Sequence, residues 1–240
     1  MLNTIKTNYK NYIYIYNDII PKISDDTAKR FLENSLYLAI FTSFEFFIKN
    51  MISHYVSKKV EEKITYMDLN DEIARKYILK NNRKNTILNI YKEDEQQSKR
   101  SFSSYLNMLK TPLSQKDLSE HIRFEFFHES KLNTHYPMIF SQIFGTADFL
   151  KEIRIAYVPP DSPIEQKIYT NALTFISEYC QDIRNNIAHN NDHYTIASDF
   201  TFIDAVNAFQ YIMDEMKNKY ESHNNFSLSE SNSENILDSV

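Results

Sequence analysis

The sequence predicts an all-α fold. Three observations carry that prediction. The chain has one glycine, Gly145, and six prolines in 240 residues. Apolar residues recur at three- and four-residue steps along most of its length. Polar residues suited to helix caps stand just before several of these runs. An all-β architecture needs many tight turns, and tight turns draw on glycine and proline. Hydrophobic residues make up 42% and charged residues 25%. That is enough for a core, in a length that suits one large domain or two small ones.

Ile5, Tyr9, Tyr12, Tyr16 and Ile20 form a helical stripe that Pro21 stops, although alternation in Tyr12–Tyr16 also suits a strand. Ser24 or Asp25 can cap a long helix from about Thr27 to about Val56. Its apolar residues nearly encircle it, the pattern of a helix central to its domain. From about Lys58 to Arg100 the chain turns polar, with weak helices expected at about 69–80 and 101–109, the second closed by Pro112. Segment 113–135 is ambiguous, since Arg123–His128 suits extended chain or coil. Pro137 fits a first helical turn, and Met138–Phe144 predicts a short helix ended by Gly145 at a left-handed cap.

Val158–Pro163 reads as a loop. A long amphipathic helix is expected next, with Ile164, Ile168, Ala172, Ile176, Tyr179, Ile183 and Ile187 on one stripe, running into Asn190-Asn191-Asp192. Ser198 can cap a last helix carrying Phe202, Val206, Phe209, Ile212, Met216 and Tyr220. From Ser222 onward Ser, Asn and Glu dominate, and disorder is expected. The expected organisation is one helical domain over 1–221, with its core at about 27–56 and 137–220. A polar insertion would occupy about 58–135, and 222–240 would form an acidic tail.

The single glycine also excludes functions. A Walker loop, a dinucleotide fingerprint, a kinase phosphate flap and a G-x-S-x-G elbow each need two or more glycines. Net charge is −5, whereas proteins that coat nucleic acid non-specifically are usually basic throughout. A local basic surface stays open: between Glu72 and Arg100 eight Lys/Arg face four Asp/Glu, with Tyr77 and Tyr91 interleaved. The single Cys180 excludes an intramolecular disulfide and fits a reducing cytoplasm; in mid-helix it reads as a small apolar core residue. Met1–Asn11 lacks a signal-peptide core. The most apolar stretch, Leu36–Ile48, is shorter than the ~20 residues a membrane span takes and contains Glu45. A soluble cytoplasmic protein without membrane association is the expectation.

The sharpest local signal is Arg184-Asn185-Asn186-Ile187-Ala188-His189. Five residues of ideal helix turn ~500°, leaving Arg184 and His189 ~140° apart, so they converge only if the helix ends near His189. Arginine beside a titratable histidine suits phosphoryl chemistry: imidazole moves a proton, guanidinium neutralises charge on phosphate oxygens.

Arg184–His189 resembles the R-x(4–6)-H motif of the HEPN superfamily, in the form with a polar residue, Asn185, directly after the arginine. Three further features resemble the same superfamily: the apolar helix Ser35–Ile52 with its embedded Ser43-Phe44-Glu45, the segment Leu132–Gly145 ending in Gln142-Ile143-Phe144-Gly145, and the helix after the motif, Ser198–Tyr220. The second of these, Leu132–Gly145, is like a segment preceding the motif in bacterial MAE_28990 and RiboL-PSP types. The resemblance spans roughly residues 27–220. It implies an α-helical bundle that dimerises, bringing two motifs into one cleft. It also implies a metal-independent endoribonuclease without cofactor, leaving 2′,3′-cyclic phosphate ends, in an anti-phage or toxin–antitoxin setting with an antitoxin or defence partner protein. On this chain His189 would transfer protons, Arg184 would hold the scissile phosphate, and Asn185 would orient the pair. Glu45 matches an acidic position that would position the arginine.

Plainer readings stand beside these. Arg184 and His189 also suit a solvated helix end, where a cation opposes the dipole. Glu45 and Lys49, four apart, suit an exposed salt bridge. Arg75, Lys76, Lys80, Arg83 and Lys84 suit either an RNA path or a solvated face. His189 and His193 with Asp192 offer metal-type ligands without a fixed face, and His121, His128 and His135 fall at seven-residue steps without a shared helix. Two rival functions remain: a non-catalytic HEPN module that binds RNA or nucleotide, and a helical assembly subunit.

Overall fold

The computed structural model describes residues 1–79, 83–124, 126–127, 131, 135–157, 168–190, 195–196 and 201–228. It is a helical protein with one small two-stranded sheet among the described residues. Helix α1 (Leu2–Tyr14) passes into a π-helical turn (Ile15–Ile19) and a 3₁₀ turn (Ile20–Lys22) that contains Pro21. Helix prevails over the strand alternative at Tyr12–Tyr16. Tyr9 is fully buried on the inner face, and its hydroxyl donates to the Ile40 carbonyl at 2.6 Å.

Helix α2 (Asp26–Glu61) is the axis of the molecule, about 54 Å long at 1.5 Å per residue. The Asp25 carboxylate accepts from Ala28 N–H at 2.8 Å, satisfying one of the donors a helix start leaves orphaned. The helix runs beyond the expected Val56, with Lys58 and Lys59 in a last turn that favours cations. On length and composition alone α2 would suit a membrane span. In this fold its apolar side chains form the core: Phe41, Phe44, Phe47, Ile48 and Met51 are each at most 1% exposed.

The polar region contains α3 (Asp71–Leu79), α4 (Arg83–Ile90), α5 (Glu95–Lys110) and α6 (Gln115–His121). Helix α5 begins before the expected Ser101 because the Asp94 carboxylate caps the N–H groups of Gln96 and Gln97. Helix α6, in the segment read as ambiguous, rests on a reciprocal cap between Ser114 and Asp117. Ile73, Tyr77, Leu118 and Ile122 are buried in the same core as α2, so part of this region is structural interior.

Helix α7 (His135–Phe144) ends at Gly145, which has φ +76°. A side chain there would strain the backbone and bring a Cβ to 2.7 Å from the His223 ring. A short helix α8 (Phe149–Glu152) leads to β1 (Arg154–Tyr157), antiparallel to β2 (Ile168–Asn171) with Arg154 opposite Asn171. These strands correct the expectation of a helix running from Ile164. Ile168-Tyr169-Thr170 is a β-branched and aromatic run that suits a strand, and Asn171 then caps Thr174 N–H at 2.9 Å to start α9 (Ala172–Glu178). Ile164 and the Val158–Pro163 loop lie outside the described residues.

The last helix, α11 (Phe202–Asn224), is capped by Thr201 in a reciprocal box with Asp204. Ser198, the expected cap, lies outside the described residues. Order extends past Ser222: Asn225 is left-handed, and Phe226 and Leu228 pack against the core. Residues 229–240 of the expected acidic tail are outside the description. At the centre, Phe41, Phe44, Phe127, Tyr179 and Phe209 interlock. Phe44 stacks on Phe127 at 5.5 Å and Phe41 on Tyr179 at 5.4 Å, while Phe209 meets Tyr179 edge-on at 4.9 Å. Such geometries add to the area these rings bury.

Candidate active site on the motif helix

The motif sits on one continuous rod. Helix α9 passes into a π-helical segment (Tyr179–Asn185) and then into α10 (Asn186–Asn190). The buried stripe Ala172, Ile176, Tyr179, Ile183 and Ile187 matches the sequence pattern from Ala172 onward. Tyr179 anchors the rod, donating its hydroxyl to the Tyr37 carbonyl at 2.8 Å. Cys180 is buried, as its mid-helix position suggests. The π segment is the feature the sequence did not announce. Its i→i+5 bonding widens the helix where Arg184 and Asn185 project, and such bulges recur at functional sites.

Arg184 and Asn185 are partly buried, and Arg184 Nη1 donates to Asn185 Oδ1 at 3.0 Å. Glu45, at mid-length on α2, lies within electrostatic reach of the Arg184 guanidinium. Its Oε1 accepts the Phe127 backbone N–H at 2.7 Å. Burial pushes the Glu45 carboxyl above the ordinary carboxylate range, while the Phe127 N–H and the Arg184 charge oppose that rise. Arg184 and Asn185 are thus hydrogen-bonded to each other on the motif rod, with Glu45 on α2 within electrostatic reach of the arginine. Glu45 forms no salt bridge with Lys49 among the described residues; it turns to Phe127 and Arg184 instead.

His189 stands apart, exposed on α10 five residues beyond Arg184. Among the described residues no hydrogen bond joins it to Arg184. Of the expected RNA contacts, Arg75 and Lys76 are exposed on α3. Arg83 and Lys84 begin α4, their side chains outside the description, and Lys80 lies wholly outside it. His121 packs edge-on against Tyr77 at 4.8 Å. Asp192, His193 and His128 are outside the described residues, and no group of three metal-type ligands occurs among those described.

Sequence reading missed Phe127, whose amide holds Glu45. No local pattern marks it, because the contact joins residues 82 positions apart. It also missed a cavity of about 510 Å³ lined by Tyr16, Lys29, Arg30, Glu33, Tyr37 and Thr201 among others. This cavity is not at the motif: Glu33 precedes Glu45 by twelve residues of α2, about 18 Å. The Arg184 cluster is favoured because it joins charge, partial burial and a π-helical segment in one place.

The fold and this cluster define an all-α protein with a polar site on a π-widened helix. No protein-family model, curated protein or solved structure matches the chain.

Proposed function

We propose that this chain is a metal-independent endoribonuclease of the HEPN type. The observation that carries the reading is the convergence of Arg184, Asn185 and Glu45 at one end of the motif rod, with His189 solvent-accessible on the following turns. Asn185 holds the guanidinium from its own helix, and Glu45 attracts it from α2. An arginine oriented in this way is suited to a phosphate, whose negative charge grows during in-line attack by the 2′-hydroxyl. His189 takes the proton from that hydroxyl or returns one to the leaving oxygen. The products are a 2′,3′-cyclic phosphate and a 5′-hydroxyl, with no water consumed in this step.

One Arg–His pair supplies few groups, so the working unit is a homodimer in which two motif rods face one cleft. The biological setting is anti-phage defence or a toxin paired with an antitoxin, in the cytoplasm. The test is incubation of the purified protein with total RNA in EDTA, followed by analysis of the new ends. Cleavage with 2′,3′-cyclic phosphate ends is the expected result. Binding without cleavage would instead favour the RNA- or nucleotide-binding module, and neither would favour the assembly subunit.

A further inference from the structure

Helices α4 and α5 form a hairpin that touches the rest of the described structure at α3 and at Tyr66–Asp68 and leaves several of its own large apolar side chains exposed. Helix α5 has no buried residue along its 16 positions. Only its C-terminal end meets the body, through Met108 and Leu109 against the core and Leu113 N–H donating to the Ile64 carbonyl at 2.8 Å. Along the hairpin Leu88 is 54% exposed, Tyr91 84%, Phe102 49% and Leu106 36%. Four large apolar residues left in water, three on the two helices and Tyr91 in the turn between them, mark a contact surface.

Charge states what that surface contacts. Residues 83–110 carry six Lys/Arg (83, 84, 92, 99, 100, 110) and three Asp/Glu (93, 94, 95), a net +3. The whole chain is −5, so the remainder is −8. A basic outgrowth on an acidic body repels a second copy's hairpin and attracts a polyanion. Lys99 is paired with Glu95 at 2.6 Å, both well exposed. Lys92 and Arg100 are exposed and enter no ion pair among the described residues.

Each of the two exposed rings has one of these cations close by in sequence. Lys92 follows Tyr91, and Arg100 precedes Phe102 by two residues. Ser98 Oγ donates to the Ile90 carbonyl at 2.6 Å, tying the two helices together. Tyr91 is the next residue after that contact, and Phe102 is about one helical turn beyond it. Exposed rings near cations suit bases that are themselves free to stack, and a duplex keeps its bases stacked inside.

We infer that the α4–α5 hairpin is a grip for single-stranded RNA, with bases stacked on Tyr91 and Phe102 and phosphates held by Lys92 and Arg100. This inference rests on the endoribonuclease reading only in naming RNA. The grip lies on a different element from the Arg184 cluster and is tested by binding, without cleavage.

The experiment measures anisotropy of a fluorescent 12-nucleotide oligoadenylate, alone and annealed to its complement, with full-length protein carrying His189→Ala so that the strand survives. Tighter binding of the single strand is expected. Tyr91→Ala and Phe102→Ala should each weaken it about tenfold, within the range for loss of one stacked base. Lys92→Ala with Arg100→Ala should flatten the salt dependence by roughly 0.7 per lost phosphate contact. All four residues are exposed, so an unchanged melting temperature confirms that the variants stay folded. Equal affinity for duplex, or single-strand affinity that survives all four substitutions, overturns the grip. Oligomerisation lost in Leu88→Ser with Leu106→Ser, at unchanged RNA affinity, would make the surface a protein interface and overturns it as well. RNA cleaved with the hairpin irrelevant sinks the grip alone; a strand gripped by the hairpin while the wild type never cuts sinks only the endoribonuclease reading.

Discussion

The motif rod and the α4–α5 hairpin are built from opposite materials. The rod buries Phe175, Ile176, Tyr179, Ile183 and Ile187 and is bonded to α2 through Tyr179. The hairpin has no fully buried residue along α5 and leaves the rings of Tyr91 and Phe102 exposed. Positions on the rod are therefore over-determined by packing, so polar side chains there can be held in a fixed geometry, the condition for electrostatic preorganisation. Positions on the hairpin are determined by little beyond helix propensity and the pairing of the two helices. They suit adaptable contact with a partner better than chemistry at a fixed distance. Substitutions should separate the two regions: the rod answers in rate and stability, the hairpin in binding.

The largest effect falls on rate. His189→Ala should lower RNA cleavage by ~10²–10⁴-fold through loss of proton transfer, and Arg184→Ala by ~10²–10³-fold through loss of charge stabilisation. Single-turnover cleavage assays check both. His189 is exposed, so its variant should melt with the wild type. If that protein cuts RNA equally well, the mechanism proposed here fails.

Next comes stability, where the two regions diverge most cleanly. Ile187 is fully buried, and Ile187→Ala should cost about 2–5 kcal/mol by removing contacts and leaving a cavity. Leu106→Ala on the hairpin, a similar loss of atoms, should stay within about 0.5 kcal/mol. Urea denaturation of both variants measures the contrast. Equal costs would mean that the hairpin face is covered in solution.

The same contrast decides what could be read from sequence. The all-α class, the central α2, the Gly145 cap and the stripe from Ala172 to Ile187 were legible because each is a local period or a local cap. The α5 start, α6 and the cap of α11 were partly hidden, since a capping residue declares itself only when its N–H partners are known. Ile168–Asn171 reads as helix in sequence because Ile168 also falls on the helical stripe that continues from Ala172. Strand pairing with Arg154–Tyr157, itself non-local, decided it. Of the site, Arg184, Asn185 and Glu45 were visible as residue types. The amide of Phe127 and the π widening depend on tertiary packing and left no trace in spacing.

A smaller effect should appear with pH. Burial lowers the pKa of His54, His135 and His223, with neighbouring lysines adding to the shift. A histidine with a depressed folded pKa takes up its proton more readily when unfolded. Its contribution is present above the ordinary value of about 6.5 and is lost as pH falls through the folded pKa. Melting temperature should therefore drop on acidification below about pH 6.5. The His54 ring is hydrogen-bonded to the Tyr220 hydroxyl at 2.7 Å, so His54→Gln can retain that bond while removing one titrating group. A shallower acid slope in that variant is the expected result; an unchanged slope would assign the acid sensitivity elsewhere.

Glu45 carries the smallest and most discriminating expectation. Its carboxylate does two things, accepting the Phe127 N–H at 2.7 Å and placing negative charge toward Arg184. Glu45→Gln keeps an oxygen for the amide and removes the charge; Glu45→Ala removes both. Because burial raises the Glu45 pKa, the protonated form is favoured on folding. Its contribution is full below the unfolded value and is lost as pH rises through the folded pKa. Gln, with no charge to desolvate, should flatten that part of the stability profile at little cost near neutrality. Ala should cost about 1–3 kcal/mol, the penalty of leaving a buried donor unsatisfied. If Glu45 positions the arginine, Gln should also slow cleavage modestly in wild type and add little once Arg184 is already Ala. A Gln variant that slows cleavage as much in the Arg184→Ala background as in wild type would show that Glu45 serves the fold through Phe127 and not the arginine.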